Sequence, residues 1–346
     1  MRSLTIGLVY ETFETYPRGE GDPADAHAEF EPDSTIEALE DAISQLGHRP
    51  LRLGSPPALL KQLGRETPLT VDAAFNLAEG FGGRNREAWA PVLLEMAGIP
   101  TLGSDALSLS LSLDKAWCNR WLGASGVRVA PQTTIASAEA AKMADLPASF
   151  PLFVKPRWEG TAKGIRASSR VESREALIRE VDRIVKDYRQ PALVEAFLPG
   201  AEYTVTLIGN GPPKVLPAIQ RALEKESGIG IHALEGVHAE LVAADPEGRP
   251  EVGEAVTPGL LDADLEQRMA EMSLRAFGAL ECFDFARVDF RLDQAGDPVF
   301  LEINPLPTFA IDSTFAILAE LEGCSLAEML GRCVTAGLMR LGAIGE

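Results

Sequence analysis

Residues 286–305, ARVDFRLDQAGDPVFLEINP, are the stretch from which the rest of the chain can be interpreted. Polar and apolar residues alternate over 287–291 and again in the second half of the apolar-rich stretch 299–304, and a Gly-Asp-Pro turn signal lies between them at 296–298. Alternation with a period of two is typical of strands, so this stretch predicts a β-hairpin.

Four polar side chains of this hairpin could share one face, because alternate strand residues point to the same side. They are Arg287, Asp289, Glu302 and Asn304. Two carboxylates and an amide oxygen are ligands that suit Mg²⁺, and a neighbouring guanidinium would stabilise developing negative charge. For such a hairpin taken alone, an ordinary solvated acidic face is the more common explanation.

The composition is that of a globular protein and excludes several classes of partner. With 346 residues, 46% of them hydrophobic, the chain should form two or three domains. Lys and Arg number 32 against 51 Asp and Glu, and the formal net charge of -19 argues against nonspecific binding to nucleic acid or to an anionic membrane.

The sequence shows neither a membrane segment nor a zinc motif. Glu11 interrupts the N-terminal apolar stretch, and no apolar run reaches the roughly 18 residues that span a bilayer. We therefore expect a cytoplasmic protein. The four cysteines have no CxxC spacing and the four histidines form no HExxH motif, which favours reduced cysteines and disfavours zinc.

Strands and helices alternate over the first hundred residues, which predicts a parallel sheet. Ligands of such sheets bind at the carboxyl ends of the strands, where Asn76, Glu79 and Glu87 would lie as substrate-binding residues. Residues 11–33 form a long acidic loop, which is either a functional lid or partly disordered.

Residues 106–123 alternate like a strand at first, yet the capping signal at Ser104-Asp105 predicts one helix without a turn. Its Lys115 would face solvent unless it binds a ligand. A domain boundary is expected near Gly103.

Residues 150–168 contain a short apolar strand that ends at Lys155, followed by a glycine-containing loop with Thr161 and Lys163. Glycines let backbone N–H groups approach phosphate oxygens, but a simple glycine hairpin turn is the alternative, and the P-loop pattern is absent. Residues 192–208 predict two strands around a Pro-Gly turn, and residues 209–260 predict loops around short strands.

Four segments together resemble the ATP-grasp superfamily, and within it the D-alanine–D-alanine ligases. They are GSDALSLSLSLDKAW (103–117), FPLFVKPRWEGTAKGI (150–165), LVEAFLPGAEYTV (193–205) and ARVDFRLDQAGDPVFLEINPLPTF (286–309). The resemblance implies an α/β ATP-grasp fold with an N-terminal Rossmann-like domain. The implied domains are 1–103, a central subdomain 104–195 with the phosphate loop, and a C-terminal subdomain 196–346 with the metal and catalytic site.

The same resemblance implies a role for each matching residue. The ATP phosphates would contact Lys115 and Lys155, the adenine edge would contact Glu195 and the backbone of Ala196, Phe197 and Leu198, and the ribose hydroxyls would contact Glu202. Asp289, Glu302 and Asn304 would bind two Mg²⁺ or Mn²⁺ ions. Arg287 would stabilise the tetrahedral intermediate, Thr161 would lie in the loop over the phosphates, and Ser313 matches the family's carboxylate-binding serine.

The implied activity is ATP-dependent carboxylate–amine ligation of small amino acids through an acyl phosphate, and the resemblance suggests a homodimer. The chain departs from the family where its N-terminal motif is missing, so we expect Glu29, or else Asp33, to meet the substrate's ammonium group. Arg221, Lys225 and His232 stand where a tyrosine-lysine segment is usual. Alternative functions are a ligase of another pathway with a different acceptor, and a nucleotide-binding regulator without turnover.

Overall fold

The computed structural model describes residues 2–221, 223–224, 226–230 and 261–345. The strands are β1 (Thr5–Val9), β2 (Arg49–Gly54), β3 (Ala73–Asn76), β4 (Thr101–Leu102), β5 (Gln132–Ile135), β6 (Leu152–Pro156), β7 (Arg170–Val171), β8 (Ala192–Ala196), β9 (Glu202–Ile208), β10 (Lys214–Val215), β11 (Ile219–Arg221), β12 (Phe285–Leu292) and β13 (Pro298–Asn304). The helices are α1 (Asp33–Gln45), α2 (Pro56–Leu63), α3 (Trp89–Met96), α4 (Ala106–Leu113), α5 (Lys115–Ala124), α6 (Ala138–Met143), α7 (Arg174–Tyr188), α8 (Ala263–Ala279), α9 (Thr314–Leu321) and α10 (Leu326–Arg340), with 3-10 turns at Phe13–Thr15, Arg86–Ala88 and Ala167–Ser169.

The first sheet is parallel, as the alternation of strands and helices predicts. Its strand order is β2-β1-β3-β4, and β1 pairs in parallel with both β2 and β3. Apolar residues of α1, such as Ile36 and Leu39, pack in the same core as Met329 and Leu330 of α10. The last helix of the chain therefore stabilises the first sheet.

The second sheet is antiparallel and has the order β5-β8-β6-β7. The amphipathic helix α7 covers it, with Leu177, Val181 and Ile184 packed against Leu152 and Val194. This core fixes the position of β6 and β8, whose ends carry Lys155 and Glu195.

The third sheet contains the predicted hairpin. Its order is β10-β9-β12-β13, and β11 also pairs with β9. Asp289 lies opposite Glu302 and Arg287 lies opposite Asn304 across the antiparallel pair, so all four side chains share one face. The other face packs in a core with α8, as the predicted alternation requires.

The single helix predicted over 106–123 is wrong, because Asp114 breaks it into α4 and α5. Asp114 has extended backbone angles (φ -80°, ψ 86°), and its carboxylate caps α5 by accepting from the Trp117 N–H. The same carboxylate accepts two hydrogen bonds from Arg157 at 2.7 and 2.8 Å. As the first residue of α5, Lys115 is buried rather than facing solvent.

The predicted domain boundaries fall close to changes of sheet, but the division stays a prediction. β8 ends at Ala196, one position beyond the boundary at 195, and α10 packs against the first sheet. Residues 231–260, together with Lys225 and the predicted His232, lie outside the described residues. In the described part of the chain, no helix is long and apolar enough to cross a membrane.

Candidate active site

A cleft of about 540 Å³, here called the main cleft, is lined by residues of the second and third sheets. It brings together most of the predicted site residues. The predicted residues that line it are Lys115, Lys155, Thr161, Glu195, Ala196, Phe197, Leu198, Glu202, Arg287, Asp289, Glu302 and Ser313.

The face of the hairpin that carries the predicted metal ligands, here called the metal face, lies at one end of the cleft. It comprises Arg287, Asp289, Glu302 and Asn304. The amide Nδ2 of Asn304 lies 3.4 Å from Asp289 Oδ2 and 3.4 Å from Glu302 Oε1, so the three predicted ligands are adjacent. Arg287 donates to Asp289 Oδ2 at 3.0 and 3.2 Å. Thr204 donates its hydroxyl hydrogen to the other carboxylate oxygen at 2.8 Å.

The donor set of the metal face fits Mg²⁺. Two carboxylates and an amide are hard oxygen donors, and Mg²⁺ commonly completes its shell with waters and substrate phosphates. Rotation of the Asn304 amide would present Oδ1 in place of Nδ2. No group of three His, Cys, Asp or Glu side chains that could hold a metal occurs among the described residues, which agrees with a set whose third member is an asparagine.

Glu302 is held ionised by three cations. Burial alone would raise its pKa, but the charges of Lys115, Lys155 and Arg287 lower the pKa of Glu302 to about 2. Lys115 Nζ lies 2.9 Å from its carboxylate and also donates to the Glu159 carbonyl at 2.6 Å. Lys115 thus links the metal face to the phosphate loop, defined as residues 159–164.

The end of β8 forms the part of the cleft where ATP is predicted to bind. Lys155 Nζ lies 2.7 Å from Glu195 Oε2, and both side chains are buried. The N–H groups of Ala196 and Phe197 donate to carbonyls of Pro131 and Pro151 at 3.1 and 3.4 Å. These two amides are therefore engaged within the protein.

Two arginines that the sequence did not single out surround the predicted adenine position. Arg170 and Arg291 lie over the Phe197 ring, at 4.6 and 5.4 Å from its centroid. Arg291 also lies 3.7 Å from Glu202, the predicted ribose ligand, whose pKa is raised to about 7 by burial. The alternation of β12 places Arg291 on the same face as Asp289, which was the available signal.

The phosphate loop has an unusual backbone. Thr161 and Ala162 adopt positive φ values of 47° and 55°, a region that L-residues rarely occupy. Gly164 has φ 78°, and a Cβ atom there would lie 2.4 Å from Pro156 Cγ, so the position requires glycine.

Lys163 is paired with two carboxylates rather than exposed to solvent. Its Nζ lies 2.7 Å from Glu29 Oε2 and 2.5 Å from Glu159 Oε2. The acidic loop (residues 11–33) supplies the first of these partners, so neither lysine of this segment is simply exposed.

A small cavity of about 30 Å³ adjoins the main cleft and contains three of the four predicted substrate residues. Glu29, Glu79 and Glu87 line it, together with Arg287 and Asn304. Burial raises the pKa of Glu87 to about 7 and that of Glu79 well above its ordinary value.

Asn76, the fourth predicted substrate residue, does not line this cavity. It is buried at the end of β3, and its Oδ1 accepts from the Ala78 N–H at 3.0 Å. It is not among the residues that line either cavity.

The acidic loop is held to the phosphate loop by hydrogen bonds and an ion pair. Glu29 accepts from the Gly160 N–H at 2.5 Å and pairs with Arg86 Nη2 at 2.5 Å. Asp25 accepts from the Gly164 N–H at 2.8 Å and from the Tyr188 hydroxyl at 2.8 Å. The Glu29 carboxylate, predicted to meet a substrate ammonium, therefore already has two cations beside it.

Comparison with known proteins gives consistent matches over most of the chain. A family model described as D-ala D-ala ligase C-terminus matches residues 125–335. A D-alanine–D-alanine ligase of Marinomonas is 30% identical over 253 residues, covering 72% of this chain and 73% of that protein. An uncharacterised protein of Sinorhizobium fredii is 33% identical over 304 residues, covering 86% and 84%.

Solved structures share the fold. D-alanine–D-alanine ligase from Bacillus anthracis, complexed with ATP, gives a TM-score of 0.68 at 22% identity and covers 99% of this chain and 100% of that one. The VanG D-Ala:D-Ser ligase from Enterococcus faecalis gives a TM-score of 0.70 at 19% identity and covers 97% of this chain and 100% of that one. These likenesses confirm the expected α/β ATP-grasp fold.

Proposed function

Because the chain belongs to the family of D-alanine–D-alanine ligases, we propose that it joins two small amino acids in an ATP-dependent, ADP-forming reaction. The observation that carries this proposal is the metal face, which opens into the same cleft as Lys115 and Lys155. A binding protein without turnover has no need of an acidic metal face with an arginine beside it, and the alternative of a regulator is not favoured.

The proposed reaction has two steps. A carboxylate oxygen of the first amino acid attacks the γ-phosphorus of ATP, which forms an acyl phosphate and releases ADP. The amine of the second amino acid then attacks the acyl carbon, loses a proton and releases phosphate. No nucleophilic side chain is required, because ATP activates the carboxylate.

The residues of the cleft act on charge and position. Lys115 and Lys155 lie where they would neutralise phosphate oxygens, and Arg287 would stabilise the oxyanion of the tetrahedral intermediate. Asp289, Glu302 and Asn304 would hold two magnesium ions, which would neutralise charge on the transferred phosphate. Thr161 and the phosphate loop would exclude water from the acyl phosphate.

The small cavity is proposed to receive only the ammonium group of the first amino acid, because its volume of about 30 Å³ is roughly that of one water molecule, and the rest of the substrate would lie in the main cleft. Glu79 and Glu87 lie beside Arg287 there, so an ammonium group has carboxyl partners close to the reacting end of the cleft. Since the pKa of Glu87 is raised to about 7, arrival of a cationic group would favour its ionised form. Glu29 would support this site by holding Arg86 and Lys163.

Phosphate release from ATP tests the proposal when measured across pairs of D- and L-amino acids, with the product mass determined for active pairs. Formation of a dipeptide with one ADP per bond supports it. ATP hydrolysis without a coupled product, or no turnover with any pair, contradicts it. An amide product formed with an acceptor amine that is not an amino acid would instead favour a ligase of another pathway.

The expected assembly is a homodimer, as the resemblance implies. Sedimentation at several protein concentrations would give a species of twice the 37.1 kDa chain mass. A monomer at all concentrations would contradict this part of the proposal.

A further inference from the structure

One arginine in the main cleft has no acidic partner among the described residues. Six cationic side chains of the described residues line the cleft, and five of them pair with a carboxylate: Lys115 with Glu302, Lys155 with Glu195, Lys163 with Glu29, Arg287 with Asp289 and Arg291 with Glu202. Arg221, at the end of β11, is the sixth.

Two threonine hydroxyls hold the Arg221 guanidinium in place. Its Nε donates to Thr204 Oγ1 at 3.2 Å and its Nη2 donates to Thr314 Oγ1 at 2.7 Å. Hydroxyls fix the orientation of a guanidinium but supply no negative charge, so a half-buried positive charge faces the cleft without an ion pair to any described residue. Burial, the largest cause, and the neighbouring Arg287 lower the pKa of Arg221, and the carboxylates of Asp289 and Glu202 oppose this lowering only in part.

The two threonines also define where this charge lies. Thr204 donates to Asp289 of the metal face at 2.8 Å, so Arg221 is one hydroxyl away from that face. Thr314 begins α9 and follows Ser313, which matches the family's carboxylate-binding serine. Arg221 therefore lies between the reacting end of the cleft and the expected acceptor position.

We propose that Arg221 binds a second negatively charged group of the amine-donating substrate, so that the acceptor is a dicarboxylic amino acid. This inference rests on the proposed function, with Ser313 expected to take the α-carboxylate of the same substrate. A side-chain carboxylate matches the planar guanidinium in two hydrogen bonds and supplies the charge that the hydroxyls lack. A neutral acceptor would leave Arg221 unpaired in a closed cleft.

Another oxyanion in the same cleft, the γ-phosphate of ATP, has the same chemistry, and a binding experiment separates the two sources. The protein is saturated with a non-hydrolysable ATP analogue and Mg²⁺, and then titrated calorimetrically with glutamate, aspartate and alanine of both configurations. Arg221→Gln removes the charge and Arg221→Lys keeps it. Arg49→Gln is the matched control, because Arg49 is an exposed arginine that also donates to a threonine hydroxyl, Thr5 Oγ1 at 3.2 Å.

The inference predicts that the unaltered protein binds a dicarboxylic amino acid about tenfold or more tightly than alanine. Arg221→Gln should abolish this preference, Arg221→Lys should keep part of it, and Arg49→Gln should keep all of it. The affinity for the ATP analogue should be the same in all four proteins.

Equal affinity of the unaltered protein for alanine and for the dicarboxylic amino acids would overturn the inference. A loss of affinity for the ATP analogue in Arg221→Gln, with amino-acid binding unchanged, would assign Arg221 to the phosphate and overturn it as well. If Arg221→Gln does not fold, the Lys variant and the unaltered protein still decide the question. Because binding is measured without turnover, failure here is distinct from failure of the proposed function, which the phosphate-release assay reports.

Discussion

Replacement of Glu29 by glutamine should destabilise the protein more strongly than replacement of any surface acid. The Glu29 carboxylate is buried and contacts Arg86 Nη2 at 2.5 Å, Lys163 Nζ at 2.7 Å and the Gly160 N–H at 2.5 Å. The side chains of Arg86 and Lys163 are only 3% and 9% exposed. Glutamine would leave both cations without their shared anion in a region that excludes water.

The expected loss is about 3–5 kcal/mol in the free energy of unfolding, the cost of removing one partner from a buried ion pair. Glu139→Gln is the matched control, because Glu139 pairs with Lys142 on the surface with 80% of its side chain exposed. That variant should lose less than about 1 kcal/mol. Denaturant unfolding, followed by circular dichroism at neutral pH, gives both values.

The pH dependence provides a second test of the same contact. Although burial opposes it, the charges of Arg86 and Lys163 lower the pKa of Glu29 from 4.5 to about 2. A lowered pKa stabilises the fold above the unfolded value and loses that effect as the pH falls. The difference in unfolding free energy between the unaltered protein and Glu29→Gln should be constant above about pH 5 and should become smaller below about pH 4.5.

Equal stability of Glu29→Gln and Glu139→Gln would refute the assignment of Glu29 as the link between the acidic loop and the phosphate loop. The kinetic consequence also follows from the structure. Since Glu29 contacts Gly160 and Lys163 of the phosphate loop, Glu29→Gln should raise KM for ATP as well as for the amino acid. An effect on the amino acid alone would instead support a direct contact with the substrate ammonium.

Three further predictions concern neighbouring groups. Lys163→Ala and Glu29→Gln should be coupled, so that the double variant loses less unfolding free energy than the sum of the single variants in a denaturant series. Asp289→Asn should lower kcat about a hundredfold or more while the protein remains folded, because it removes an anionic metal ligand. Burial raises the pKa of Glu87 from 4.5 to about 7, so stability should fall as the pH rises between these values, and Glu87→Gln should remove that slope in unfolding measured at each pH.

The hairpin and the layered fold could be predicted because their signals are local. The period-two alternation and the Gly-Asp-Pro turn fix which residues of 286–305 share a face, and the paired register places Asp289 opposite Glu302 as expected. Alternation of strands and helices likewise predicts the parallel first sheet. These features depend on spacing along one or two elements.

Two features could not be predicted, because the residues that contact each other are distant in sequence. They are the break between α4 and α5 at Asp114 and the hydrogen bonds of the acidic loop to the phosphate loop. Asp114 is held by Arg157, 43 residues away, and Asp25 by Tyr188, 163 residues away. Local periodicity favours one continuous helix through 114, and acidic composition favours a solvated loop over 11–33. Only the tertiary contacts override both signals.

The same dependence on tertiary contacts explains why Asn76 does not line the cavity where it was expected. Its position at the end of β3 agrees with the general rule for ligand sites in parallel sheets. The rule does not determine which way the side chain turns, and the Asn76 amide is used to accept the Ala78 N–H. Glu79 and Glu87, from the loop that follows, reach the small cavity instead.

Transfer of oxygen from substrate to phosphate tests the central claim most directly. The first amino acid, labelled with heavy oxygen in its carboxylate, is incubated with ATP, Mg²⁺, the second amino acid and the protein, and the released phosphate is analysed by mass spectrometry. Activation as an acyl phosphate predicts one heavy oxygen in each phosphate released with a peptide bond. The Glu302→Gln variant, which should lack turnover, should release no labelled phosphate. Unlabelled phosphate from a protein that hydrolyses ATP would contradict the account, because the carboxylate would then never have attacked the γ-phosphorus.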